Sequence, residues 1–214
     1  YTLTENGDGS FLLQIAERSY YIDSTGEVIT QENMIAIDSA EELKTFRDDV
    51  NSGNSYEGKY VYLTSDITLD SNEEWEPIGN RDHSFKGIFN GNKFEISGIF
   101  INTPESEQGL FGYIDDASIL NLGIGQNCYI IGGRYTAGIV GTAWNGTRII
   151  NCYNKTNIEG NGVSGGIAGQ LTQNGLISQC HNAGTINVSG NYSGGICGST
   201  DSNSIIEKCY NTGN

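Results

Sequence analysis

Proline is nearly absent, two residues in 214 against 30 glycines. That ratio excludes a proline-rich disordered linker and describes an ordered chain with many turns that need positive φ. No apolar run approaches 18 residues, so no membrane insertion by an apolar helix is expected. Basic residues are scarce, 11 Lys and Arg against 26 Asp and Glu, for a formal charge of −15. An acidic surface repels phosphate backbones and offers no basic patch to anionic lipid, so nucleic acid is excluded as a partner. The chain opens Tyr1-Thr2-Leu3-Thr4, without a basic stretch or an apolar leader, and is expected to be an excised or processed segment.

Catalytic and metal-binding residue types are equally thin. The two histidines, His83 and His181, lie outside any His-Glu-x-x-His motif, and a zinc site needs at least three converging ligands. No metal and no cofactor is expected. A polysaccharide lyase or hydrolase would need clustered carboxylates. The second half of the chain holds only Asp115, Asp116, Glu159, Asp201 and Glu207, and the Asp115-Asp116 pair reads as a turn. Glu5 to Ser10 lacks the acidic spacing of a calcium loop and reads as a hairpin turn.

What the sequence does contain is a repeat. Gly138-Ile139-Val140-Gly141 returns as Gly166-Ile167-Ala168-Gly169 and as Gly195-Ile196-Cys197-Gly198. Thirteen residues after each isoleucine stands a cysteine, in Cys152-Tyr153-Asn154, Cys180-His181-Asn182 and Cys209-Tyr210-Asn211. The intervals, 28 and 29 residues, mark a stacked architecture. Ile88 and Leu110 are read as earlier members of the isoleucine series, with Gly109-Leu110-Phe111-Gly112 as the first full copy. Charge follows the same division: residues 1–108 hold 21 acidic and 7 basic side chains, residues 109–214 only 5 and 4. In stacked repeats, equivalent residues sit one strand spacing apart, ~4.8 Å, where like charges repel by about 1 kcal/mol even in water.

In chain order, residues 1–35 are expected to be a small β-meander or the end of a preceding module. Residues 36–108 should carry a capping helix and the first coils, and residues 109–214 the repeat coils, truncated at the C-terminus. Ser39 and Glu42 form a capping box, Leu43, Phe46 and Val50 share one face, and Gly53 terminates, which predicts a helix over 40–51. Each repeat shows three short apolar segments, such as Gly166 to Leu171, Leu176 to Cys180 and Thr185 to Val188, and no helical stretch. The predicted fold is therefore all-β, a right-handed parallel β-helix solenoid with three short strands per coil and an N-terminal capping helix. The chain stops inside a repeat, so further repeats or domains of the same chain are expected as its neighbours.

The Gly-Leu-Phe-Gly and Gly-Ile-x-Gly copies, each followed by Ile-x-x-Cys-x-Asn or its equivalent, resemble the bacterial GLUG repeat. Glu76-Pro77-Ile78-Gly79 and Phe85-Lys86-Gly87-Ile88-Phe89-Asn90-Gly91 resemble the segment that precedes it. The likeness covers residues 36–214. It implies a secreted or wall-attached bacterial surface protein with an adhesin, spacer or binding role, its partner a glycan or a host surface protein. The same repeats occur upstream of the catalytic part of metallopeptidases that cleave immunoglobulin A, which implies the alternative of a non-catalytic accessory domain in a large secreted peptidase or glycan-degrading enzyme. Either way, this stretch is not expected to be an enzyme.

The remaining candidates are columns. Cys152, Cys180 and Cys209 should point inward as small hydrophobes with free thiols, and Asn154, Asn182 and Asn211 should form an inward hydrogen-bonding ladder at a turn. Strand alternation then sends Tyr153, His181 and Tyr210 outward, one above another. Tyr135 and Tyr192 share a second column with Val163, and Trp144 is placed in a turn. These six rings are the candidate binding residues, against the plainer reading that they stack to stabilise the sheet.

Overall fold

The computed structural model describes residues 2–5, 9–15, 18–22, 26, 28–190 and 192–214. After a four-stranded antiparallel meander, Thr2–Glu5, Phe11–Ile15, Arg18–Ile22 and Val28–Thr30, nearly all of the chain winds as a parallel β-solenoid. Of the hairpin turn expected over Glu5 to Ser10, residues 6–8 lie outside the described residues.

Each complete coil contributes to five parallel sheets, not three. In the middle coil these strands are Val140–Trp144, Arg148–Ile150, Tyr153–Asn154, Ile158–Gly160 and Val163–Gly165. The sheets they belong to are called V, I, II, III and IV, and hold four, seven, six, four and three strands. The three apolar segments read from the sequence fall on sheets V, I and III, for example Ala168–Leu171, Leu176–Ser178 and Ile186–Val188. The other two strands, such as Tyr153–Asn154 and Val163–Gly165, are two or three residues long and carry at most one aliphatic side chain, so they do not stand out as apolar segments.

Local chemistry sets the corners. Asn121, Asn151, Gln179 and Lys208 occupy one position in successive coils and all adopt left-handed backbone, φ +51, +55, +57 and +53. That bend separates sheet I from sheet II, and asparagine tolerates it better than most residues because its amide can bond locally. Between the bends, alternate side chains point inward and pile up. Val61, Phe89, Ile119, Ile149 and Ile177 are in register and fully buried, and Leu110, Ile139 and Ile167 form a second column. Ile88 does not belong to that second series. It pairs with Tyr60 and Ser118 in sheet I, whereas the residue preceding Leu110 in its own column lies near Ile78, whose N–H donates to the Leu110 carbonyl at 2.9 Å. The interval from Ile88 to Leu110, 22 residues against 28 or 29 in the later repeats, is short because Ile88 lies one sheet further round the coil.

The paired glycines of the repeat have two different duties. A Cβ on Gly138, Gly166 or Gly195 would overlap the side-chain amide of Asn154, Asn182 or Asn211, so the first glycine makes room for the asparagine column inside the coil. A Cβ on Gly141, Gly169 or Gly198 would meet the backbone of Glu107, Tyr135 or Ser164. The second glycine lets the chain at sheet IV fold back against the outer face of sheet V. Sheet V is consequently covered on both faces, and Val140, Gly141, Thr142 and Ala143 are all buried.

The N-terminal end of the core is closed by the helix Ala40–Asn51, here α1, whose buried residues are Leu43, Phe46 and Val50. The Ser39 hydroxyl accepts from Glu42 N at 3.4 Å, and the Glu42 carboxylate accepts from Asp38 N at 2.8 Å. Phe46 lies on the end of the interior columns, 5.6 Å from the Phe85 ring and 5.8 Å from Phe89. The meander packs on the outer face of sheet I through Tyr21 and Ile29, with the Tyr21 and Tyr60 rings stacked at 4.1 Å. At the C-terminal side Ile206 continues the column of buried Ile177 and is 39% exposed.

Candidate functional site

Tyr153, His181 and Tyr210 come together as a stack on the outside of sheet II. Parallel in-register pairing sets them one above another, with ring centroids 5.2 Å apart at 18° for Tyr153 and His181, and 4.9 Å apart at 2° for His181 and Tyr210. The rings lie face on face. Stacking of a sugar needs a free ring face, and His181 has none, since both are occupied by tyrosines. Tyr153 has His181 stacked on one face and the Lys155 ammonium 4.9 Å from its ring centroid, and its ring lies against Gly123. What these two residues offer to solvent is ring edge.

Beside the stack, Glu95 collects the polar contacts. It accepts from the Tyr153 hydroxyl at 2.7 Å and pairs with Lys155. Lys155, then Tyr153, hold the Glu95 carboxyl below its ordinary range. Burial and then the Glu95 carboxylate push the Tyr153 phenol well above its own. Burial, seconded by the Lys155 charge, lowers His181. A shallow groove of about 340 Å³ adjoins them, lined by Glu95, Ser97, Gln126, Asn127 and Lys155. Glu95 is its one carboxylate, and hydrolysis of a glycosidic bond by the usual route needs two.

The other aromatic candidates do not join this stack. Tyr135, Val163 and Tyr192 do share a column, but Tyr135 is 8% exposed, with Arg134 held 4.5 Å over its ring, and so presents no binding face. Tyr192 is 63% exposed. Trp144 ends a strand of sheet V instead of standing in a turn; the turn is Asn145-Gly146, whose φ values are +50 and +73. Trp144 lies 6.5 Å from Tyr113. His83 is exposed and bonds through Nδ1 to the Asn51 carbonyl at 2.6 Å, at the end of α1. Asp115 ends a strand and pairs with Lys86 at 3.0 Å, and Asp116 makes the left-handed turn after it. Among the described residues no group of three or more His, Cys, Asp or Glu converges as a metal set, and no helix is long and apolar enough to cross a membrane.

The inward columns are continuous. Asn154 Nδ2 donates to Asn182 Oδ1 at 2.8 Å and Asn182 Nδ2 to Asn211 Oδ1 at 2.7 Å. Each amide also turns back on its own chain, Asn154 to Thr156 O, Asn182 to Gly184 O and Asn211 to Gly213 O. They occupy two-residue strands of sheet II, with the turn they brace immediately following. All five cysteines are free; Cys152 and Cys180 are buried and Cys209 is half-buried. A second ladder escaped the sequence reading. Asn121 Nδ2 donates to Asn90 Oδ1 at 3.1 Å, Asn151 Nδ2 to Asn121 Oδ1 at 2.6 Å, and Asn90 Nδ2 to the Tyr60 hydroxyl at 2.6 Å. The available signal was an asparagine directly before both Leu122 and Cys152, 30 residues apart.

No family model matches the chain. It is 34% identical over 97 residues to a protein of Evansella cellulosilytica described as a candidate Gly-rich membrane protein, covering 42% of this chain. It is 29% identical over 172 residues to halomucin of Haloquadratum walsbyi, covering 75% of this chain. The aligned stretches are 11% and 2% of those two proteins, so the chain spans a small part of each. The crystal structure of a candidate immunoglobulin A1 protease from Bacteroides ovatus aligns with 85% of this chain and 76% of its own, at 15% identity and a TM-score of 0.39, a likeness too low to transfer activity.

Proposed function

We propose that this chain is a non-catalytic spacer module of a cell-surface or secreted protein, a stiff solenoid that holds other parts of its protein apart or presents them. The observation that carries this reading is where the recurring side chains are directed. The asparagines that return in the last three repeats, Asn154, Asn182 and Asn211, bond to one another from coil to coil, and the ring faces of Tyr153 and His181 are covered. Repetition here serves cohesion between coils, as in other solenoids whose units contact only their neighbours. The surface location rests on the repeat resemblance and on the relative described as a membrane protein. A glycan or a host protein would meet the exposed side chains of Tyr192 and Tyr210, 63% and 58% exposed.

A spacer tolerates a change of length, whereas a binding or catalytic site does not. Excising residues 139–166 removes one 28-residue coil and joins Gly138 to Ile167, keeping every column in register. The expected product is folded by circular dichroism and more compact by small-angle scattering, and the parent and the shortened chain are both silent on a glycan array that includes mucin glycans. Glycan binding by the parent that disappears on Tyr210→Ala or on coil excision would replace the spacer with a lectin.

A further inference from the structure

We infer that Asn161-Gly162 is a self-modification site, where the folded chain converts the Asn161 side-chain amide to a carboxylate, part of it through an isoaspartyl linkage. Five asparagines stand directly before a glycine, Asn6, Asn90, Asn145, Asn161 and Asn174. Such a pair can close a ring, because glycine has no side chain to screen its backbone nitrogen from the neighbouring amide. The nitrogen attacks only after losing its proton, so the hydrogen bonding of that N–H decides which pair reacts. Asn6-Gly7 lies outside the described residues, and the fold sorts the other four.

Asn90 is buried and its amide is held at both atoms, Nδ2 donating to the Tyr60 hydroxyl and Oδ1 accepting from Asn121 Nδ2 and from Asn92 N. The Gly91 N–H donates to Leu120 O at 2.8 Å. Asn145 and Asn174 are exposed, but both sit in left-handed turns whose glycine is held by the next coil: Gly146 N donates to Gln173 O at 2.8 Å, and Gly175 N to Ser204 Oγ at 3.2 Å. Asn161 is exposed and lies outside the left-handed region. Among the described residues neither the Asn161 carbonyl nor the Gly162 N–H has a hydrogen-bond partner, so the peptide between them can rotate. The Asn161 amide meets only the Ser189 hydroxyl, 3.5 Å from Oδ1 and at the limit of a hydrogen bond, which leaves Nδ2 unheld. The pair follows the strand Ile158–Gly160, which is flanked by paired strands in the coils on both sides.

The chemistry is ring closure followed by hydrolysis. The deprotonated Gly162 nitrogen attacks Asn161 Cγ; a Cγ–N bond forms, the Cγ–Nδ2 bond breaks, and the amide nitrogen departs as ammonia after taking a proton from solvent. Water then opens the cyclic imide. Cleavage between Cγ and the glycine nitrogen gives aspartate, and cleavage between the Asn161 backbone carbonyl carbon and that nitrogen gives isoaspartate, whose main chain runs through the former side chain. No electrons change hands, and water is the co-reactant. Because the glycine nitrogen must first lose its proton, the reaction accelerates as the solution is made alkaline.

The test is to incubate the folded chain at mildly alkaline pH, sample it over time, and map each asparagine by peptide mass, scoring isoaspartate with an isoaspartyl methyltransferase. Asn161 should convert about twofold to tenfold faster than Asn145 or Asn174, the factor that freeing one bonded N–H is worth, while Asn90 stays intact. In guanidinium the four pairs should react alike, since only the local Asn-Gly chemistry is left. Asn161→Ser removes the fastest phase and leaves the slower sites unchanged. The proposal is overturned if Asn161 converts no faster than Asn145 and Asn174 in the folded chain, if Asn90 keeps pace with it, or if the same ranking persists in guanidinium.

Discussion

Asn182 is fully buried and its amide is bonded on every side, to Asn154, Asn211, Gly184 O and Gly184 N. Asn182→Ala leaves the Gly184 N–H and one hydrogen of Asn154 Nδ2, which keeps its bond to Thr156 O, without an acceptor inside the coil, and an unpaired buried group costs about 1–3 kcal/mol. We expect a loss of about 2–4 kcal/mol by denaturant titration, against about 0.2–1 kcal/mol for Tyr210→Ala on the outer stack. Equal losses would mean that the ladder adds nothing beyond surface stacking. The first glycine of the motif belongs to the same contact. Gly138→Ala drives a methyl into the Asn154 amide, so its penalty should shrink in the Asn154→Ala background, a coupling that a double-mutant cycle reads directly.

His181 adds a pH dependence. Its folded value is lowered, by burial first, with Tyr153 and Tyr210 on its two faces and the Lys155 charge nearby. The unfolded chain therefore takes up the proton first, and stability falls as pH drops below the unfolded value of about 6.5. Glu95 is also lowered, by Lys155 first, and as an acid its contribution is present above its unfolded value of 4.5 and is lost as pH falls through the folded one. The two windows do not coincide. His181→Phe keeps a ring in the stack and should flatten the melting temperature between about pH 7 and pH 5.5 while leaving the more acid loss intact; an unaltered upper slope would refute the assignment to His181.

At the scale of the element, α1 shows how a short amphipathic helix closes a solenoid. Ser39 and Glu42 settle where it starts, Gly53 at φ +115 settles where it stops, and Leu43, Phe46 and Val50 turn one face to the core. Without it, Phe85 and Phe89 would meet water at the first coil. Phe46→Ala should cost about 3–5 kcal/mol, more than Ser39→Ala at about 0.5–2 kcal/mol, as measured by urea unfolding. A mild Phe46 variant would show that the first coils close without the helix. The strands divide differently. Segments of three to five residues on sheets V, I and III carried enough apolar alternation to be read beforehand. The two-residue strands Tyr153–Asn154 and His181–Asn182 are strands only because a coil lies above and below them.

For the whole molecule, the sequence by itself determined the period, the helix, the inward cysteines and asparagines, and the outward alternation of Tyr153, His181 and Tyr210, because each of these follows from spacing or from local propensity. Stacking identical positions one strand apart turns a linear recurrence into a column without further information. The tertiary structure decided what the columns are for. It placed Tyr135 under Arg134, turned the ring faces of the Tyr153 stack against one another, and linked Asn90, Asn121 and Asn151. It also separated the duties of the two glycines, one facing the asparagine column and one facing the returning chain at sheet IV. None of this is local. Burial and ring orientation depend on which remote backbone crosses each position, and a repeat carries its own spacing but not the identity of what packs against it.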